Sequence, residues 1–390
     1  MATKGYFAYW SIVLADSTKS NTNTSRRRFL KYAGAGAVAL AAAGIGGYEI
    51  YNNYLAPKPP LTIAWWGGSE LDALQPAIQQ FKQETGSDVQ VVLHSGGSSN
   101  TIPKIAAAWP NVVIDLIGIS TSGGLKLAQQ GFSIPLSASD IPALSNYPDS
   151  LYVKFNGTNA SVSFATVSTV IIYRNDKIQE PITSFHDLLR PELKKHVAVG
   201  DPTGGAGMYL LSWCLDYGGD ENNVDPGFTA LQQLGQQGNL AMVWSEEPMA
   251  LNAMQSGDIW AMEFSDYGTG GLIAKNPSQY SNVSIVKNPA GGKAVFDADT
   301  LAIINGPRKD LAMKFADIFL APDMQAKFAP VNGEAPANPL TPMDPTLEPW
   351  VNSGADLKKY GYFANREIVA ANIDSWAQRF DQQIRPLVSA

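Results

Sequence analysis

The sequence predicts an α/β protein of two lobes, each a mainly parallel sheet flanked by helices, joined by a two-strand hinge. Three observations lead there. Strands alternate with helices in two separate series, which implies parallel sheets covered on both faces. Two long β-rich stretches, SVSFATVSTVIIYRN from Ser161 and AVFDADTLAIING from Ala294 to Gly306, stand where the chain can cross between lobes and back. The chain beyond residue 55 is long enough for two domains, since roughly 100 to 200 residues per domain is usual.

In chain order, LTIAWW reads as a strand, LDALQPAIQQFKQETG as an amphipathic helix stopped by Gly86, and DVQVVL as a second strand. TIPKIAAAW follows as a helix, NVVIDLIGI as a buried strand, and GGLKLAQQG as a helix with a glycine stop. The second series comprises HVAVGD, the helices AGMYLLSWCLDYGG and PGFTALQQLGQQG, the strand LAMVW, a helix through ALNAMQSG and the strand DIWAMEF. The later helices, DLAMKFADIFL, PDMQAKFA and ANREIVAANIDSWAQRFDQQI, are expected to pack on the first lobe. The resulting division is 61–166 with 294–390 for the first lobe and 167–293 for the second.

Ahead of the first strand, SRRRFLK from Ser25 precedes YAGAGAVALAAAGIGG, a charged region followed by a weakly apolar one, which marks targeting rather than fold. It resembles the twin-arginine export signal at Ser25, Arg26, Arg27, Phe29, Leu30 and Lys31, and that resemblance implies export of the folded protein. Residues 1–55 are therefore an export signal or N-terminal anchor, and APKPP, residues 56–60, is a stiff linker. Residues 1–55 hold six Lys or Arg and two acids, so the remainder carries 22 basic against 33 acidic residues, a net charge near −11. That balance excludes a nucleic-acid binder. The single cysteine, Cys214, forms no internal disulfide, so a packed core must hold the fold.

Enzyme signatures are missing. Gly118, Ile119, Ser120, Thr121 and Ser122 lack the last glycine of a nucleophile elbow, and Cys214 sits in an apolar helical run. His94, His186 and His196 are scattered, with no zinc spacing. No catalytic residue, metal site or cofactor is expected.

FKQETGSDVQVV, the GGSS turn, VIDLIGIS, ITSFHDLLRPELKKHVAVGDPTGGAG, MALNAMQSGDIWAM, DADTLAI, MKFADIFLAPDMQAKFA and NGEAPAN occur in an order that resembles the extracellular solute-binding proteins of ABC importers. The resemblance runs from Leu61 to Pro339 and is to the two-lobed periplasmic-binding-protein type that includes binders of polyamines, ferric iron and aminoalkylphosphonates. It implies capture of a small solute between lobes and delivery to a membrane permease. The further expectations are a monomer, located in the periplasm or outside the cell, that meets a small-molecule solute, an ABC permease and the twin-arginine export machinery.

Ligands of open α/β sheets bind beyond the carboxyl ends of the strands, so the loops there supply the candidate site. Ser98, Ser99 and Ser120 on one lobe, with Thr203 and Gly204 on the other, offer hydroxyls and amides to an anionic or hydroxylated group; simple capping explains the same residues without a ligand. Trp65, Trp66 and Trp244 can wall a cleft and meet a cation by ring face. Among the acids, Glu70, Asp201, Glu263, Asp266 and Asp299 are candidates, and Glu246–Glu247 reads as a solvated pair. The resemblance to polyamine binders singles out Asp201 and Asp299 as ammonium holders. The family's iron binders place adjacent tyrosines after the strand matching DIWAMEF, where this chain has only Tyr267.

Overall fold

The computed structural model describes residues 60–94 and 98–389. The export-signal reading, most of the linker, and Gly96–Gly97 of the GGSS turn fall outside them. The first series begins with β1 (Leu61–Trp65), α1 (Ser69–Thr85), β2 (Val89–Leu93), α2 (Ile102–Ala108), β3 (Leu116–Ser120) and α3 (Thr121–Gln129). α1 forms where Ala73, Leu74, Ala77 and Phe81 make a buried stripe, and Gly86 ends it in the left-handed conformation at φ 69°. β3 is shorter than NVVIDLIGI suggests. Asp115 leaves the strand to accept the Thr62 amide at 2.9 Å and pair with Arg308 at 2.8 Å.

β4 (Tyr152–Phe155) and β5 (Thr158–Arg174) follow, then β6 (Val197–Gly200), α4 (Met208–Asp216), α5 (Asp225–Gln236), β7 (Leu240–Trp244), α6 (Glu247–Ser256), β8 (Ala261–Ser265) and β9 (Val283–Val286). The chain returns through β10 (Ala294–Ile303) to α7 (Lys309–Leu320), α8 (Pro322–Asn332), β11 (Ala335–Pro336), α9 (Gly354–Tyr360), β12 (Gly361–Tyr362) and α10 (Arg366–Gln383).

The strand order is β2-β1-β3-β10-β5-β8-β6-β7. β1 is parallel to β2 and β3 at one end, β6 is parallel to β7 and β8 at the other, and antiparallel β10 and β5 lie between. β5 pairs with β10 as far as Ser168 and with β8 from Thr169 onward, so two strands carry the connection between the halves. Each half has its own core, one around Phe81, Phe164 and Phe319, the other around Ile171, Trp213 and Phe264.

The last of the helices expected on the first lobe packs on the second. α7 and α8 join the first core through Phe315, Phe319 and Phe328, but α10 joins the second through Val369, Trp376 and Phe380. The cause is a stripe at helical spacing whose flanks are tied to second-lobe residues: Arg379 to Asp225 at 2.5 Å, Gln383 to Gln232 at 3.1 Å, and Arg385 just beyond to Asp201 at 2.8 Å. Among the described residues no helix is long and apolar enough to cross a membrane.

Candidate functional site

Loops leaving β1, β3, β6, β7 and β8 face one another across a cleft with three adjoining compartments of about 620, 490 and 490 Å³. Tyr209, Glu247 and Tyr267 belong to both the first and the second; Trp66, Gly205 and Asp299 belong to both the second and the third. Among the described lining residues, eight carboxylates stand against one lysine, Lys275, whose ammonium donates to the Val331 carbonyl at 2.6 Å.

The densest charge lies in the middle compartment. Glu70 from the first turn of α1, Asp299 from β10 and Glu334 from the loop after α8 bring one oxygen each within 4.8 Å of one another. The Asn332 amide bridges Glu70 at 2.7 Å and Glu334 at 2.5 Å. Burial, then the charge of Asp299, pushes Glu70 up to about 8. Burial and the neighbouring Asp297 push Asp299 up to about 7. Glu334 is raised well above the usual carboxylate range by burial, then by Glu70 and Asp299. The space between these oxygens suits an ammonium group or another small cation.

Opposite them stands Glu247 at the start of α6, which accepts the Ser265 hydroxyl and is pushed up to about 7, chiefly by burial. Tyr267 and Tyr209 supply rings, and burial raises both phenols. Tyr209 fits because Gly204 has no side chain, since a Cβ there would stand 2.6 Å from its ring. Gly118 does the same for Trp65 and Trp66, where a Cβ would stand 2.5 and 2.6 Å from their rings.

The expected residues divide. Trp66, Glu70, Asp299, Tyr267 and Trp244 line the cleft. Trp65 does not: it is fully buried, stacked on Phe164 with centroids 5.0 Å apart, because successive side chains of a strand point to opposite faces. Glu263 is buried beneath the floor, accepts the Gly200 amide at 3.1 Å and is pushed up to about 8 by burial. Asp266 is buried at the hinge, where it accepts from the Ser168 amide and hydroxyl at 2.7 and 2.6 Å and from the Asn352 amide at 3.2 Å. None of these three lines the cleft.

Asp201 lies at the rim with its carboxylate engaged by Thr203 and Arg385, so it is not the open ammonium holder expected. The serines line the third compartment, but Ser98 accepts the Ser120 amide at 3.1 Å and the Ser120 hydroxyl caps α3 by accepting from Gly123. Ser99 lies beside them, its hydroxyl 3.5 Å from that of Ser120. Thr203 likewise gives its amide and hydroxyl to Asp201. This wall is largely self-capped. His94 is structural, bonded to Thr101 at 2.8 Å and to the Gly118 carbonyl at 2.9 Å. The sequence reading missed Glu334, Asn332 and Tyr209, and set Glu247 aside as solvated. Only Glu334 carried a signal, an acid directly after the glycine stop of a helix and before the apolar Ala335–Pro336.

The family model for bacterial extracellular solute-binding protein matches residues 76–358. No curated protein matches the chain. Among solved structures, an ABC transporter protein from Clostridium perfringens is 23% identical with a TM-score of 0.69, over 83% of this chain and 99% of that one. A spermidine/putrescine ABC transporter substrate-binding protein from Streptococcus pneumoniae is 17% identical with a TM-score of 0.65, over 83% and 99%. A Trichodesmium protein in complex with iron and citrate is 16% identical with a TM-score of 0.63, over the same shares. At these identities the likeness carries the two-lobed fold. With the family model matching well over half of its length, the chain belongs to the bacterial extracellular solute-binding proteins.

Proposed function

We propose that this protein captures a small amine-bearing solute, of polyamine or aminoalkylphosphonate type, between its lobes and passes it to the membrane permease of an ABC importer. The observation that carries this is the convergence of Glu70, Asp299 and Glu334 in a cleft whose described lining holds one already engaged lysine. A polyamine needs carboxylates for its ammonium groups and aromatic faces for its stem, and Trp66, Tyr209 and Tyr267 stand beside the acids. An amine with an anionic tail would bring its amine to the same acids. The names of the compared structures agree with an importer role. On this reading the protein acts outside the cytoplasm as a monomer, exported by the twin-arginine route, without converting its ligand.

The test is calorimetry with putrescine, spermidine, 2-aminoethylphosphonate and ferric citrate. Asp299→Asn and Glu334→Gln are expected to weaken amine binding about tenfold to a hundredfold, since a hydrogen bond to a charged group contributes roughly 1.5 to 3 kcal/mol. Amine affinity unchanged in both variants would reject the site. Saturation by ferric citrate with no response to any amine would reverse the reading in favour of iron.

A further inference from the structure

We infer that Glu70, Asp299 and Glu334 exchange protons for the ammonium groups of the ligand, so that the pH of the surroundings sets capture and release. This rests on the cationic-solute reading and adds regulation to the same site.

The geometry requires a counter-charge in the free protein. One oxygen from each carboxyl lies within 4.8 Å of the other two, too close for all three to ionise side by side. Glu70 is 8% exposed, faces the cleft, and its Oε2 is buried without a hydrogen-bond partner. Asp299 and Glu334 face each other within that 4.8 Å, so ionising one makes ionising the other harder.

No described cationic side chain supplies the balance. Asn332, from α8, is neutral. Tyr267 after β8, Glu247 on α6 and Tyr209 on α4 face the cluster with phenols and another acid, and His94 after β2 is held by Thr101 and Gly118. Asp297 on the same strand adds negative charge and takes Arg366 for itself at 3.1 Å. Protons therefore neutralise the empty cluster, consistent with Glu70 at about 8 and Asp299 at about 7. When an ammonium group enters, a carboxyl O–H bond breaks, its proton passes to bulk water, and the arriving charge replaces it.

The consequence is a pH-dependent affinity. Each proton released makes the apparent affinity rise about tenfold per pH unit while the cluster still holds that proton. Calorimetric titration of the full chain with putrescine and with spermidine, at pH 6, 7 and 8 in buffers of low and high ionisation enthalpy, measures the release directly. About one to two protons at pH 7 are expected, falling by about one in Glu334→Gln. Binding with an enthalpy independent of buffer and an affinity flat from pH 6 to 8 would overturn the exchange and leave the cationic reading standing.

If neither amine binds, the cationic reading fails, and infrared absorption of the ligand-free protein decides the proton inventory. A protonated-carboxyl band at pH 7 that shrinks in both Glu334→Gln and Asp299→Asn sustains the protonated state of the ligand-free cluster, while the exchange with an ammonium group falls with the cationic reading. A band unchanged in both overturns the protonated state as well.

Discussion

Replacing Asp266 by asparagine separates a hinge pin from a ligand group. The carboxylate is fully buried where β5 changes partner from β10 to β8, and it accepts three hydrogen bonds, two from Ser168 and one from Asn352. An amide keeps one acceptor oxygen, so its nitrogen must face either the Ser168 or the Asn352 backbone N–H, and one buried donor is stranded. A stranded donor costs about 1 to 3 kcal/mol, and the surviving bonds lose their charge assistance. Asparagine has no charge to desolvate, which offsets part of this and leaves an expected loss of about 1 to 3 kcal/mol at pH 7.

The pH profile gives a second reading of the same variant. Burial first, against the Ser168 and Asn352 bonds, pushes Asp266 from 3.8 up to about 6. The folded carboxyl thus holds its proton where the unfolded one has lost it. Its contribution to stability is complete below pH 3.8 and is withdrawn as pH rises to about 6, on the order of 3 kcal/mol in all. The Asn variant should lack this slope. Urea denaturation followed by tryptophan fluorescence at pH 4 to 8 measures both quantities. Stability within about 0.5 kcal/mol of the wild type, with the slope intact, would refute the hinge role.

Two further perturbations probe placements that only the folded chain reveals. Trp65→Ala should lose about 3 to 5 kcal/mol of stability because it empties the core against Phe164, whereas Trp66→Ala should keep most stability and weaken amine binding severalfold; equal effects on binding would contradict the assignment of opposite faces. Phe380→Ala should cost about 3 to 5 kcal/mol by opening the second core, and a neutral result in denaturant would return α10 to the surface.

Much of the architecture was legible because it rests on local patterns. The stripe Ala73, Leu74, Ala77, Phe81 and the glycine after it announce α1 without reference to any other segment. The two β-rich stretches are conspicuous for their length and became β5 and β10. α10 was legible as a helix, but not its lobe, because Asp225 and Gln232, which bond it, and Asp201, which holds Arg385 just beyond it, belong to a segment the chain meets again only after returning to the first lobe and crossing once more. Trp65 and Trp66 look alike in the sequence, and the pleat of β1 separates them into core and cleft.

The site follows the same division. Residue periodicity, turn chemistry and the excess of acid belong to the chain itself, so the sequence alone determined two α/β lobes and a cleft fed by strand ends. Which acids meet was decided by tertiary structure. Glu70 opens α1, Asp299 sits within a crossing strand and Glu334 follows α8, and folding gathers them around Asn332 while it sends Glu263 beneath the floor and Asp266 into the hinge. The physical reason is that a carboxylate's role depends on burial and on neighbouring charges, and both are properties of the surrounding packing rather than of its place along the chain.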